Sequence, residues 1–393
     1  MISVAEARAI IIAQACPLPD EVVELETALG RTLREPVVAG RAHPPFAASA
    51  MDGYALRSAD TPGRLRVVGE AGAGHGYDHA LGAGECARIF TGAPLPAGAD
   101  AVLIQEDAER NGDEVSAPPV ESRRHIRAAG VDFAAGTVLL TPGAVLRPVH
   151  VALAAAAGRA TLRVTRAPRV TVLSGGDEIV PPGATPGPHQ IFDSVNYGVC
   201  ALVDQWGAEA ARGAPFADNS EVISRRVSDA LVGADIVVVI GGASVGDHDH
   251  ARAAVRRLGG EFLFEKVSLR PGKPTWFARC EGKLVLGLPG NPASALVCAQ
   301  LFLRPLVERI LGRDTQLSLR AARTAAALPA NGPRETYLRA RLQSDEFGQT
   351  WATCPANQDS SLLSVFAASN ALMMRAANAP AAGAGDIVKV LDF

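Results

Sequence analysis

The sequence predicts a multi-domain chain of α/β plus β class, with a doubly wound α/β domain at its centre. Three observations carry that expectation. A length of 393 residues exceeds what one hydrophobic core organises, so two to four domains are expected. Between 166 and 312, apolar runs alternate with helical patterns, as in an open parallel sheet with helices on both faces. The stretches 41–146 and 313–393 are short β-prone pieces cut by Gly, Pro and Asn-Gly turn signals.

Taken in order, "MISVAEARAIIIAQA" reads as an amphipathic helix opened by a Ser3…Glu6 capping box. A second short helix is expected after the "CPLPD" turn. Residues 41–146 hold "LRVVGEAG", "CARIF", "DAVLIQE", "DEVSA" and "GTVLLTPG", a small β-rich domain. "RPVHVALAAAAG" then returns to helix, so the β part reads as an insertion into a discontinuous helical domain of 1–40 and 147–165. In 166–312, "RVTVLS", "AEAARGAPF", "ADIVVVIGG" and "KLVLGLPG" are strands. The third is apolar on both faces, as at the centre of a parallel sheet. The helices between them are closed by Gly207 and capped by Asn219 or Ser220, and the last has Asn291 at its N-cap and Pro292 at its first position. Pro305 predicts a kink in that helix. Residues 313–393 supply "ETYLRARLQ", "QTWATCP", "ALMMRAA" and "DIVKVLDF" as strands of a β-barrel-like domain.

Composition narrows the function. Net charge is −3 and hydrophobic residues make up 48%, which argues against a nucleic-acid binder and against long disorder. The six cysteines are scattered, with no C-x-x-C pair, so neither a zinc set nor a disulfide framework is expected, and a reducing cytoplasm fits. No apolar run reaches the ~20 residues that span a bilayer, and the N-terminus lacks the pattern of a signal peptide.

Ligands of open parallel sheets bind at the C-terminal ends of the strands. Three polar loops fall there: "LSGGDEIVPPG", "GGASVGDHDH" and "GLPGNPAS". In the first, Asp177 and Glu178 follow two glycines; an isolated G-G-D-E is more often a turn cap. In the second, glycines admit close backbone approach. Asp247 and Asp249 stand where a bare helix dipole also prefers acids, so Asp249 is balanced between ligand and cap. His248 and His250 are two apart and point to different helix faces, which disfavours a histidine metal pair. "EKVSLRPGKPTWF" places Lys266, Ser268 and Arg270 on one face of an alternating stretch, with Lys273 beyond. These cations suit an oxyanion, or they protect an exposed edge strand. Asp52 in "HPPFAASAMDGYAL" and Thr91 in "RIFTGAPLPAGADAV" read locally as structural, with Asp52 capping a turn.

Six stretches, "PPFAASAMDGYA", "RIFTGAPLPAGADAV", "VLSGGDE", "GGASVGDHD", "LRPGKP" and "GLPGNPAS", stand in register. Together they closely resemble the molybdopterin molybdenumtransferase family, bacterial relatives of the E domain of gephyrin, from about residue 5 to the C-terminus. The resemblance implies an elongated four-part subunit, a homodimer, and insertion of molybdate into adenylylated molybdopterin to give molybdenum cofactor and AMP. A divalent cation, usually Mg2+, assists. It implies that Asp52, Thr91, Glu178, Asp218 and Asp249 act in catalysis, with Glu178 and Asp249 holding the metal. Gly241, Gly242, Ser244 and Gly246 would cradle the pterin or phosphate. Lys266, Arg270, Lys273, Pro289, Pro292, Arg339 and Ser360 would complete the substrate site. Asp52 and Thr91 would finish that site across the dimer. Arg270 stands where the family often has lysine, and Ala47 where it often has a polar residue. The upstream adenylyltransferase and recipient molybdoenzymes are the implied protein partners. Alternatives are a tungsten-inserting paralogue, a protein-binding scaffold and a non-catalytic molybdopterin carrier; the acids and cations named above argue against the last two.

Overall fold

A computed structural model describes residues 1–241 and 250–393. The chain forms two compact units, one of Met1–Glu21, Gly30–Thr32 and Thr165–Phe393, the other of Val22–Leu29 and Leu33–Val164.

In the first unit a six-stranded sheet runs in the order Glu209–Arg212, Arg169–Ser174, Ile236–Ile240, Lys283–Leu288, Trp276–Cys280, Glu261–Phe264. The first four strands are parallel and the last two antiparallel to their neighbours. Alternation explains why the central run "IVVVI" is apolar throughout. Ile236, Val238 and Ile240 join a core with the helix Val195–Gln205. Val237 and Val239 join another with the helices Ser220–Gly233 and His250–Arg257. Each such fully buried side chain contributes about 1.5–3 kcal/mol over its exposed state. Asn219 caps its helix as expected, its Oδ1 accepting from the Glu221 and Val222 amides.

The helix Val4–Gln14 starts with the expected capping box and buries Val4, Ala7 and Ile11 in the first of these cores. Its Arg8 explains the long helix after Pro292. That helix runs Pro292–Cys298, passes through a π-helical turn at Ala299–Leu303, and continues Arg304–Ile310. Pro305 cannot donate to the carbonyl four residues earlier. That carbonyl, Leu301 O, instead accepts from Arg8 Nη1 at 2.8 Å. The expected kink is therefore a π-helical turn with a side-chain substitute for the missing backbone donor.

The C-terminal strands close into a five-stranded barrel: Glu335–Ser344, Thr350–Thr353, Leu319–Thr324, Ile387–Asp392 and Ala371–Arg375, which pairs back to the first. Leu319–Thr324 reads as a poor strand in sequence because it is Arg/Ala-rich; antiparallel pairing with Ile387–Asp392 makes it one. The two-residue strand Leu269–Arg270 pairs with Glu335 and Thr336 and so joins the α/β sheet's chain to the barrel.

The second unit has a sheet ordered Ala101–Ile104, Gly53–Leu56, Glu85–Ile89, Gly63–Ala71, Glu114–Ala117, Glu109–Asn111. Leu56, Leu65 and Cys86 pack on one face and Ala55, Ala71 and Ala87 on the other. The helix Pro148–Ala156 is as expected. The second short helix is not. Asp20–Glu24 is a strand, followed by a 3-10 turn at Leu25–Thr27. Its neighbour in the sheet is Thr161–Thr165, and β-branched Val22-Val23 suits that pairing.

Candidate active site

Three strand-end loops meet at the C-terminal edge of the parallel strands, and glycines let them. A Cβ on Gly175 would lie 1.9 Å from the Phe216 ring, and one on Gly241 would lie 2.6 Å from Gly175 O. Gly241 also has φ +84, a conformation that favours glycine. A Cβ on Gly290 would rest 3.5 Å from the Gly241 Cα. The Gly175–Phe216 bridge, together with Asp218 N–H donating to Asp177 Oδ1 at 3.1 Å, ties the 216–218 loop to the "GGDE" loop. Asp177 thus serves as the cap its local sequence suggests, and Glu178 and Asp218 share one cavity.

That cavity measures about 610 Å³ and is lined by Glu178, Asp218, Gly241, Pro289 and Pro292 among others. Its volume falls in the range of small-molecule sites. The site also contains residues that sequence reasoning missed. Asp193 is 4% exposed and accepts from Ser174 Oγ at 2.6 Å and from the Asn196 amide at 3.3 Å. It stands 15 positions beyond Glu178 in an unpatterned stretch, so no local signal marked it.

A second cavity, about 800 Å³, lies between the α/β sheet's chain and the barrel and is lined by Arg270, Lys273, Arg339 and Ser360. Arg334 and Arg375 also line it, and neither was anticipated. Among the described residues Arg270 and Lys273 have no ion-pair partner. Arg339 is fully buried. Its Nη2 donates to Asp359 O at 2.8 Å, while its Nε has no partner. Burial pulls this guanidinium below its ordinary value, and the charge of Asp359 partly offsets that. A cavity lined by Arg270, Lys273, Arg334, Arg339 and Arg375 fits an oxyanion. The two cavities share Pro274. They are stitched by Asn291 Nδ2 donating to Ser360 Oγ at 3.0 Å. This contact takes the Asn291 side chain away from the capping role expected of it.

Lys266 lines neither cavity. Its burial alternates with Val267 and Leu269 as expected, but only Leu269–Arg270 is strand. Gly242, Ser244, Gly246 and Asp249 lie outside the described residues. Asp52 and Thr91 belong to the other unit, where the register Gly53↔Ile89 brings them together. Asp52 Oδ1 accepts both the Thr91 amide and Thr91 Oγ1, each at 2.7 Å. These bonds, the amide's first, hold Asp52 below its ordinary value, helped by nearby Arg88. Arg88 stacks over Tyr54 and Phe90 and is a further cation that sequence reasoning passed over.

Among the described residues no group of three or more His, Cys, Asp or Glu is placed to hold a metal ion. Glu178 and Asp218 supply hard oxygen donors in one cavity, the donor type a magnesium ion takes. Four of the thiols are poorly suited to act as thiolates: burial pushes Cys86, Cys200 and Cys354 up to about 11 and Cys298 up to about 12.

Three family models match successive parts of the chain. They are described as "MoeA N-terminal region (domain I and II)" over residues 2–158, "Probable molybdopterin binding domain" over 171–309 and "MoeA C-terminal region (domain IV)" over 321–393. A molybdopterin molybdenumtransferase of Haemophilus influenzae is 32% identical over 405 residues, spanning 100% of this chain and 99% of that one. The chain belongs to the molybdopterin molybdenumtransferase family. A family member from Nostoc sp. is 36% identical, with 81% of this chain and 76% of the relative covered. The crystal structure of a molybdopterin biosynthesis MoeA protein from Pyrococcus horikoshii is similar over 100% of this chain and 99% of its own, with TM-score 0.84 and 31% identity. The 610 Å³ cavity lies in the segment matched by the molybdopterin-binding model, apart from Ser361.

Proposed function

We propose that this family member inserts molybdate into adenylylated molybdopterin, forming molybdenum cofactor and releasing AMP, at the two adjoining cavities of the α/β and barrel unit. One observation carries the reading. A glycine-walled cavity with the carboxylates of Glu178, Asp193 and Asp218 adjoins, through Pro274 and the Asn291–Ser360 bond, a cavity rich in unpaired cations. The first suits a phosphate-bearing substrate approached by backbone amides. The second suits a tetrahedral oxyanion, held by Arg270, Lys273 and Arg339. Glu178 and Asp218 would relay protons from the dithiolene thiols to the oxo groups that leave molybdate as water, and Glu178 with Asp249 would hold a divalent cation. When bound, that cation would offset phosphate charge. Asp52 and Thr91 are proposed as further catalytic residues, in a homodimer working in the cytoplasm. No described helix is long and apolar enough to cross a membrane.

The test is AMP release from purified protein given adenylylated molybdopterin, magnesium and molybdate, with a no-molybdate control and a tungstate arm. Molybdate-dependent release supports the reading, and chelation of the metal should abolish it. Substrate binding without release would replace the insertase with a carrier. Sedimentation should give twice the chain mass; a monomer would remove the dimer from the proposal.

A further inference from the structure

Phe192 is the one aromatic side chain among the described residues that line the 610 Å³ cavity. It is 47% exposed, and its neighbour Ile191 is 59% exposed. A large aromatic held open to solvent at a cavity wall forgoes burial that a core position would give it. Its backbone is fixed on both sides. Ile191 N–H donates to Glu178 O at 2.7 Å, and Asp193 N–H donates to Val180 O at 2.8 Å. The parallel register Ile179↔Ile191, Val180↔Phe192 follows. Asp193, next in the chain, is anchored by Ser174. Phe192 is thus carried by a short ladder that starts at the Glu178 carbonyl and ends at a buried carboxylate, and it shares the cavity lining with glycines and prolines of the strand-end loops.

We propose that Phe192 is a stacking platform for a flat nitrogen heterocycle of the substrate, with the charged groups of that substrate directed towards the glycine loops. The inference rests on the reading that this cavity takes adenylylated molybdopterin. That molecule has two such rings, a pterin and an adenine, and both present the π-face that stacking needs. An aromatic on a backbone that is already fixed contributes affinity because less ordering remains to be done on binding.

The experiment is calorimetric titration of the whole protein with AMP and, separately, with 6-carboxypterin, for wild type, Phe192→Ala, Phe192→Leu and Phe192→Trp. Base–aromatic stacking predicts that alanine weakens binding of one probe by about tenfold or more. Leucine should lose most of the same affinity, and tryptophan should keep it. The probe affected names the ring. In turnover, alanine should raise KM for adenylylated molybdopterin more than it lowers kcat. Wild-type affinity of Phe192→Ala for both probes would overturn the platform, as would full retention by leucine. Unchanged melting of the variants, expected at so exposed a position, excludes misfolding as the cause. If wild type releases AMP on adding molybdate while Phe192→Ala binds normally, only the platform falls. If wild type releases none, the reading beneath it falls.

Discussion

The Asp52–Thr91 pair shows how a side chain that looks inert in sequence acquires a defined charge state. Two donors converge on one carboxylate oxygen, which favours the ionised form. The folded value is lowered from 3.8, so the stabilisation from this pair is complete above about pH 4. It disappears as pH falls through the lowered folded value. Thr91→Val keeps the amide donor and removes the hydroxyl, so the Asp52 titration should move part of the way up, measured by carbon-detected NMR of the carboxyl; an unmoved titration would remove the Thr91 hydroxyl as a cause. Asp52→Ala should lower AMP release at least tenfold with the fold intact, and equal activity would take Asp52 out of catalysis. Gly241 makes a different residue-scale case. Alanine there meets Gly175 O at 2.6 Å in a φ +84 conformation, a strain of about 1–3 kcal/mol. Gly241→Ala should lose that stability in urea denaturation and lose substrate affinity with it.

At the scale of elements, the π-helical turn depends on a donor from another helix. Arg8 is 9% exposed and spends Nη1 on Leu301 O and Nη2 on Thr315 O. Arg8→Ala should cost about 2–3 kcal/mol, since a buried carbonyl would lose a charged partner. Equilibrium unfolding checks this, and a change under 0.5 kcal/mol would show that the turn stands without it. Elements were legible where periodicity and capping agreed. Val195–Gln205, Ser220–Gly233 and Ile236–Ile240 fall where apolar pattern, Gly207 and Asn219 put them. Asp20–Glu24 was illegible because its five residues acquire strand character only from a partner some 140 positions away. The site followed the same division. Glu178 and Pro289 sit in loops whose position at strand ends could be read, whereas Asp218 was implied by the family resemblance alone. Asp193, Arg334 and Arg375 gain meaning only when tertiary pairing lines a cavity with them.

For the whole molecule, the division into two units predicts separable stability. Leu56 is fully buried in a core confined to the second unit. Leu56→Ala should cost about 2–5 kcal/mol there, and hydrogen exchange should accelerate in Gly53–Leu56 and Glu85–Ile89 far more than in Ile236–Ile240. Equal acceleration in both would mean that they unfold as one. The first unit is also assembled from both ends of the chain, and that sets an order of events during synthesis. Arg8 meets a carbonyl 293 residues downstream. At roughly 5–20 residues per second of ribosomal elongation, the helix Val4–Gln14 is exposed for about 15–60 s before its binding surface exists. The apolar stripe of Val4, Ala7 and Ile11 is then bare on a growing polypeptide, so this helix is made long before it docks. Any message cut short before codon 301 would leave that stripe without its seat.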